Sequence, residues 1–156
     1  MITEANDIET VRSLFESYMW HMKQYNKIED VDAWVVRANQ YFNLYGTEPE
    51  RKVYIFTQKN VISGFSLVNR EYRFNTTGNT IAEFYITPKE QKKGAGQELA
   101  KYTFAQQPGV WEVCIASGNK GAYKFWNKVI SEFTSGDYKT RAIDTYDGKG
   151  FIFNSA

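Results

Sequence analysis

The sequence predicts one mixed α/β domain over residues 1–156, with helices flanking a mostly antiparallel sheet. Three observations predict this fold class. Two stretches with helical apolar spacing come first, short apolar runs follow from Lys52, and the pattern then becomes strand, helix, strand, helix. A strand that reaches the next strand through a helix needs a parallel neighbour, so we expect one parallel pair inside the sheet.

The first two elements are predicted to be helices. Apolar side chains recur at helical spacing over residues 8–25 and again over residues 31–45. Asn6, with a glutamate three residues later, resembles a capping box, so the first helix is predicted to begin there. Asp30 is the natural N-cap of the second helix, and the polar stretch 26–30 joins the two.

Three strands are predicted next, at residues 53–57, 61–68 and 80–87. Gly64 is a candidate for a β-bulge in the second strand, and Pro88 closes the third. The polar stretch between the second and third strands is predicted to be a loop.

The remaining chain alternates between strand and helix. We predict a helix at 95–107, a strand at 110–116, a helix at 119–130, and two strands near 139–146 and 151–154 around a turn at 147–150. The strand at 110–116 is almost entirely apolar, as expected of a strand that is covered on both faces.

Composition excludes several classes of protein. The apolar share is 42% and the charged share 24%, as in ordinary globular domains. The net charge is +1, so we expect neither a nucleic acid nor a membrane as a partner. One cysteine excludes internal disulfides, and the sequence shows no secretory signal or membrane span, so we expect a cytoplasmic protein. One histidine and one cysteine, far apart, do not predict a metal site.

One stretch of sequence predicts an anion site. It follows a strand, opens a helix and consists of Gln91, Lys92, Lys93, Gly94, Ala95 and Gly96. A helix N-terminus offers unpaired N–H groups and a partial positive charge, glycines let the backbone approach a ligand closely, and the lysines add charge. These features suit a phosphate or pyrophosphate, although a plain tight turn explains the glycines equally well.

Residues 84–88 (Phe-Tyr-Ile-Thr-Pro), followed by Gln91-x-x-Gly94-x-Gly96, resemble the acetyl-CoA signature of the GCN5-related N-acetyltransferase (GNAT) superfamily. A second segment resembles the family pattern Asn-x-x-Ala-x-x-Phe-Tyr, at Asn119, Ala122, Phe125 and Trp126. The order of elements resembles that of the family over nearly the whole chain, and residues 2–4 are the only candidate for its first strand.

The resemblance implies a GNAT-like domain that transfers an acetyl group from acetyl-CoA to a primary amine by direct attack in a ternary complex. It implies that the strands at 80–87 and 110–116 splay apart to admit the thioester. Main-chain groups of Phe84, Tyr85 and Ile86 would then bind the pantetheine arm like an added strand, with one N–H polarising the thioester carbonyl.

The resemblance also assigns the other cofactor contacts. The loop of residues 91–96 would hold the pyrophosphate of coenzyme A. Asn119 would contact the cofactor arm, and Phe125 and Trp126 would flank its thiol end.

Glu83 is the candidate general base, acting through water. Family members commonly place this glutamate one residue earlier, where Ala82 stands here, so the pleat would turn Glu83 to the opposite face unless a bulge corrects it. The family's acidic tyrosine is replaced by Trp126, whose indole N–H cannot act as an acid. Tyr123 is therefore the candidate acid, but a packing or surface role for Tyr123, or no protein acid at all, stays open.

The acceptor and the partners are less determined. A small-molecule or peptide amine is expected, and homodimers are common in such folds. Five aromatic side chains of the first two helices either line an acceptor pocket or pack in the core, and their helical spacing favours core packing for most of them. They are Tyr18, Trp20, Trp34, Tyr41 and Tyr45. Cys114 is most simply a buried small apolar residue. The alternative function is a non-catalytic acyl-CoA-binding or sensing module, which Trp126 favours.

Overall fold

The computed structural model describes residues 1–25, 28–116, 118–143 and 148–156. Seven strands form one sheet in the order β1-β2-β3-β4-β5-β7-β6. They are β1 (Ile2–Glu4), β2 (Lys52–Gln58), β3 (Val61–Asn69), β4 (Asn79–Ile86), β5 (Val110–Ile115), β6 (Tyr138–Ile143) and β7 (Gly148–Asn154). Among the described strands only β4 and β5 pair in parallel, which confirms the predicted mixed, mostly antiparallel sheet.

Helices cover both faces of the sheet. They are α1 (Glu9–Met22), α2 (Val31–Asn43), α3 (Ala95–Gln106) and α4 (Lys120–Thr134). Alternation along β2 separates two cores: Val53 packs with α1 and α2, whereas its neighbour Tyr54 packs with α3 and α4. Among the described residues, no helix combines the length and apolarity needed to cross a membrane.

The helix starts show which predicted caps form. Asp30 caps α2 as predicted, because its Oδ1 accepts a hydrogen bond from the Ala33 N–H at 3.0 Å. The predicted capping box at Asn6 is wrong. The helix α1 begins at Glu9, and Asp7 supplies the side chain that accepts from the Glu9 N–H at 2.9 Å.

Two predicted boundaries at the C-terminal end also change. The sequence predicts that the last strand begins after a turn at 147–150, but β7 already begins at Gly148. The reason is pairing on both sides: Gly150 lies opposite Cys114 of β5 and Arg141 of β6. The helix α4 runs to Thr134 instead of residue 130, because Phe133 packs against Phe104 at 5.3 Å. Residues 26–27 of the predicted joining stretch, 144–146 of the predicted strand and 147 of the turn lie outside the described residues.

A bulge lies beside Gly64, close to the predicted position. The pairs Phe56↔Gly64 and Thr57↔Ile62 leave Ser63 as the extra residue in β3. A Cβ at Gly64 would lie 2.5 Å from Cδ1 of Ile86, so glycine permits the close approach of β4. The short β1 pairs with β2, which supplies the first strand that the family resemblance requires.

The parallel strands separate along their length. They pair only at Asn79↔Trp111, Thr80↔Glu112 and Ile81↔Val113. Beyond these pairs β4 continues to Ile86 and β5 to Ile115 without pairing with each other, which confirms the splayed parallel pair. A second bulge lies where the pairing ends, because Leu67↔Glu83 and Val68↔Ile81 leave Ala82 as the extra residue in β4. A bulge bends its strand, so it accounts for the separation.

Candidate functional site

A narrow cleft of about 90 Å³ lies in the gap between the splayed strands β4 and β5. Its lining includes Tyr18, Glu83, Phe84, Ala116, Asn119 and Trp126. The cleft therefore brings the β4 strand, the α1 helix and the start of α4 together at the place where the strands part.

One edge of β4 faces this cleft without a strand partner. Thr87 donates its N–H to the Ser63 carbonyl at 2.8 Å and so faces β3. Because successive backbone groups alternate in direction, those of Phe84 and Ile86 face the open gap, whereas Tyr85 is directed to β3. Two of the three main-chain positions predicted to bind the cofactor arm are thus on the open edge.

The loop of residues 91–96 leads from β4 into α3 as an open turn. Lys92 and Gly94 have positive φ angles of 60° and 87°. A Cβ added at Gly94 would meet no described heavy atom within 4 Å, so there is room above it. Gln91 donates from Nε2 to the Ile86 carbonyl at 2.8 Å and ties the loop to the strand end.

The first turn of α3 keeps its N–H groups available. The Asp30 and Asn119 side chains cap α2 and α4, but among the described residues no side chain accepts from the first-turn N–H groups of α3. Lys92 and Lys93 are exposed beside this turn. Donors, positive charge and open space fit a phosphate or diphosphate.

The two adjacent aromatic residues of α4, Phe125 and Trp126, lie in different places. Trp126 lines the cleft, is 6% exposed, and its ring centroid lies 4.8 Å from that of Phe84. Phe125 is not among the cleft-lining residues and packs instead under the loop, where a Cβ at Gly96 would lie 3.1 Å from its Cε2. Gly96 therefore lets the start of α3 approach α4 closely.

Asn119 lines the cleft and also begins α4. Its Oδ1 accepts a hydrogen bond from the Ala122 N–H at 3.1 Å. The side chain is therefore a helix cap, and its predicted contact with a cofactor arm stays a prediction.

Glu83 faces the α1 helix because of the bulge at Ala82. With two residues opposite one, Ala82 packs with the α1–α2 core and Glu83 also reaches α1, where its Oε2 accepts a hydrogen bond from the Tyr18 hydroxyl. Burial raises the pKa of Glu83 to about 7, and the Tyr18 hydrogen bond acts in the opposite direction. A carboxyl with this pKa can accept a proton at neutral pH.

Tyr123 lines neither this cleft nor the larger pocket described next. It is 37% exposed, and its ring centroid lies 5.6 Å from that of Phe151. Its placement matches the packing and surface alternative rather than a position beside the cleft.

A larger pocket of about 460 Å³ lies on the other side of Glu83. Its lining includes Trp34, Arg37 and Tyr41 of α2, Arg73 of the loop after β3, and Cys114 of β5. The cleft and the pocket share Glu83 as a common wall. Trp34 and Tyr41 thus have the pocket-lining role that was the less favoured of their two alternatives.

Cys114 and Glu112 have roles that the sequence did not suggest. Cys114 is half-buried and lines both cavities, and burial raises the pKa of its thiol, so it stays protonated at neutral pH. The buried Glu112 carboxylate accepts from the backbone N–H groups of Arg73, Phe74 and Asn75 at 2.7, 3.0 and 2.7 Å. It therefore holds the loop that walls the larger pocket.

No protein-family model matches the sequence, and no curated protein matches it. Solved structures do resemble the fold. An N-acetyltransferase from Staphylococcus aureus Mu50 has a TM-score of 0.69 at 14% identity, over 100% of this chain and 98% of its own. A candidate acetyltransferase of Salmonella typhimurium, solved with its cofactor acetyl-CoA, has a TM-score of 0.68 at 15% identity, over 100% and 94%.

An aminoglycoside 6'-acetyltransferase type Ii is also similar, with a TM-score of 0.67 at 12% identity over 100% of this chain and 97% of its own. Nearly the whole chain therefore has an acetyltransferase fold. It is the fold of the GNAT superfamily, which confirms at the level of the fold the resemblance drawn from the two sequence motifs.

Proposed function

We propose that this protein is an acetyl-CoA-dependent N-acetyltransferase that transfers the acetyl group directly to a primary amine in a ternary complex. The observation that supports this most is the position of Glu83 in the wall between two cavities. One cavity lies along an unpaired strand edge that ends at an open helix N-terminus, and the other is large enough for a small molecule.

The residues of the cleft fit coenzyme A. The Phe84 carbonyl and the Ile86 N–H on the open edge of β4 would bind the amide groups of the pantetheine arm as an added strand does. The first-turn N–H groups of α3, with Lys92 and Lys93, would hold the diphosphate. Acetyl-CoA, when bound, supplies an acyl group activated as a thioester. The Phe84 N–H on the open edge interacts with the Tyr18 hydroxyl, and it would also donate to the oxygen that becomes negative during transfer.

Glu83 would take the proton from the attacking amine. An alkyl amine with a pKa near roughly 10.4 is mostly protonated at neutral pH and has to lose a proton before it attacks. The Glu83 carboxylate borders the larger pocket, and its pKa of about 7 lets it accept a proton and release it again at neutral pH. Turnover should therefore rise with pH as Glu83 ionises near pH 7.

The larger pocket would hold the acceptor amine. Its volume of about 460 Å³ falls within the roughly 300–1,000 Å³ typical of small-molecule sites. The similar aminoglycoside acetyltransferase is named for a small-molecule substrate. We therefore propose a small-molecule amine as the acceptor, with the end of a peptide as the next candidate.

A non-catalytic acyl-CoA-binding module is the second candidate function. Trp126 favours it, because this residue lines the cleft where the family motif has a tyrosine. Release of free thiol from acetyl-CoA with any amine of a broad panel would exclude this candidate. Binding without release for every amine would favour it over the enzyme.

The cofactor site can be tested by thermal unfolding with acetyl-CoA. At a ligand concentration about 100 times the dissociation constant we expect the melting temperature to rise by about 5–10 °C. Gly94→Trp should abolish this rise, because the indole would fill the space above the loop. Gly136→Trp is the matched control, since Gly136 also has a positive φ and open space but lies after α4. An unchanged melting temperature of the wild-type protein at millimolar acetyl-CoA would refute the proposal.

A further inference from the structure

Tyr18 and Glu83 form a hydrogen-bonded pair that connects the two cavities. Glu83 lines both the cleft and the larger pocket, whereas Tyr18 lines only the cleft. The Tyr18 hydroxyl donates to Oε2 of Glu83. The backbone N–H of Phe84, on the open edge of β4, also interacts with the Tyr18 hydroxyl. The order in space is therefore acceptor pocket, carboxylate, phenol, cleft.

We propose that Tyr18 is the general acid of this protein and passes the proton that Glu83 removes from the amine to the departing thiolate. This inference rests on the proposed function. It assigns the acid role to α1, while the family motif has its tyrosine on α4, where this chain has Trp126.

The proton balance of the step is complete. Glu83 has already removed the ammonium proton and released it to solvent, so the step starts from the neutral amine and the Glu83 carboxylate. The nitrogen–carbon bond to the acetyl group forms, the carbon–sulfur bond breaks, and Glu83 takes one proton from the nitrogen. The Tyr18 Oη then gives its proton to the sulfur and receives the proton held by Glu83. The amide and the free thiol leave, and both side chains return to their starting forms.

The surroundings of the pair support this direction of transfer. Burial, together with the Glu83 charge, raises the pKa of Tyr18 well above its ordinary value, so the phenol stays protonated at rest. A phenolate formed during the transfer therefore has to be reprotonated at once. The Glu83 carboxyl, which is hydrogen-bonded to the Tyr18 hydroxyl, is placed to return a proton to Tyr18. Other titratable or charged groups line the larger pocket together with Glu83: Arg37 and Tyr41 from α2, Glu71 and Arg73 from the loop after β3, and Glu112 and Cys114 from β5.

The other candidates in the cleft are less suited. The Asn119 amide and the Trp126 indole cannot act as acids near neutral pH. Cys114 has a protonated thiol, but in the part of the chain that the structure describes it makes no hydrogen bond to Glu83 and so cannot receive its proton. Tyr123 lines neither cavity.

The first test compares acyl donors whose thiols differ in acidity. Tyr18→Phe should lower turnover with acetyl-CoA by about 10²-fold or more. With the acetyl thioester of an electron-poor aryl thiol, whose thiolate leaves without a proton, the loss should largely disappear. Glu83→Gln should lose turnover with both donors. Tyr102→Phe on α3 is the matched control and should keep wild-type turnover.

The second test needs no acyl donor. Infrared spectroscopy of the unliganded protein should follow the Glu83 carboxyl, with Glu83→Gln identifying its band. In Tyr18→Phe the pKa of Glu83 should rise above its wild-type value, because the hydrogen bond that lowers it is lost. Calorimetry should show that Tyr18→Phe binds acetyl-CoA as the wild-type protein does.

The outcomes separate this inference from the proposed function. If the wild-type protein neither binds acetyl-CoA nor releases its thiol, the proposed function fails. If the wild-type protein is active and Tyr18→Phe keeps its turnover, or Tyr123→Phe or Cys114→Ala is the variant that loses it, only the assignment of Tyr18 is overturned. An equal loss of Tyr18→Phe with both donors would also overturn it.

Discussion

The ionisation of Glu83 should make the protein less stable at high pH. Burial raises the pKa of this carboxyl from an ordinary value of 4.5 to about 7. A carboxyl with a raised pKa in the folded state stabilises the fold fully below its unfolded pKa, and this contribution disappears as the pH rises through the folded pKa. The shift corresponds to about 3 kcal/mol in the free energy of unfolding.

The perturbation that isolates this contribution is Glu83→Gln, because the amide has nearly the same shape and stays neutral. Urea unfolding of both proteins should be measured at several pH values from about 4.5 to about 8. Over this range the variant should gain about 3 kcal/mol in stability relative to the wild-type protein. Glu50→Gln, at an exposed turn before β2, is the control and should follow the wild-type curve.

The result that would refute the reasoning is a constant difference in stability between Glu83→Gln and the wild-type protein across this pH range. It would mean that the carboxyl is solvated well enough to titrate at its ordinary pKa. The base role proposed for Glu83 would then lose its electrostatic support, while the cleft and its cofactor contacts would be unaffected.

Three destabilising substitutions and one control substitution test the packing that shapes the site, each by urea unfolding. Gly64→Ala should destabilise the protein by about 1–3 kcal/mol, because the new Cβ would overlap Ile86, whereas Gly121→Ala in the open part of α4 should stabilise it by up to about 1 kcal/mol. Glu112→Ala should cost about 3 kcal/mol or more, since three partly buried N–H groups lose their acceptor, and faster amide exchange in that loop would show it. Asn119→Ala should cost about 1 kcal/mol through the lost α4 cap. Wild-type stability in any of the three destabilising variants would contradict the packing described for that residue.

The order of elements could be predicted because it follows from local patterns. Helical spacing in the first 45 residues, the change of period at Lys52 and the strand that precedes Gln91 are all visible in short windows of sequence. The parallel pair followed from the helix that joins its two strands. The loop at Gly94 could be recognised for the same reason, since its glycines and the helix it opens are neighbours in sequence.

The direction of Glu83 could not be predicted, because it depends on pairing between distant strands. The extra residue at Ala82 is defined only by the partner positions Leu67 and Val68, and no local pattern marks it. Tyr18 belongs to the apolar stripe of α1, so its sequence signal was that of a core residue. Its 5% exposure agrees with that signal, and only the fold shows the carboxylate beside its hydroxyl.

The role of Cys114 in the larger pocket could not be predicted either, because it also depends on pairing between distant strands. Cys114 lies on a strand whose apolar run indicates burial on both faces, but the neighbouring strand has turned away before it is reached. The cap of α1 could not be predicted for a similar reason. Whether Asn6 or Asp7 caps the helix depends on where the chain leaves β1, and that position is set by the pairing of β1 with β2.

Within the described residues, three pairs between β4 and β5 join the half of the sheet formed by β1 to β4 to the half formed by β5 to β7. This parallel pairing is short. Beyond Ile81 the main-chain groups of β4 and β5 that face each other make no hydrogen bonds across the gap, so a molecule bound there could supply them. A molecule bound there would act as an additional strand and connect the two halves into one continuous sheet. Binding in the gap and the continuity of the sheet would therefore depend on each other.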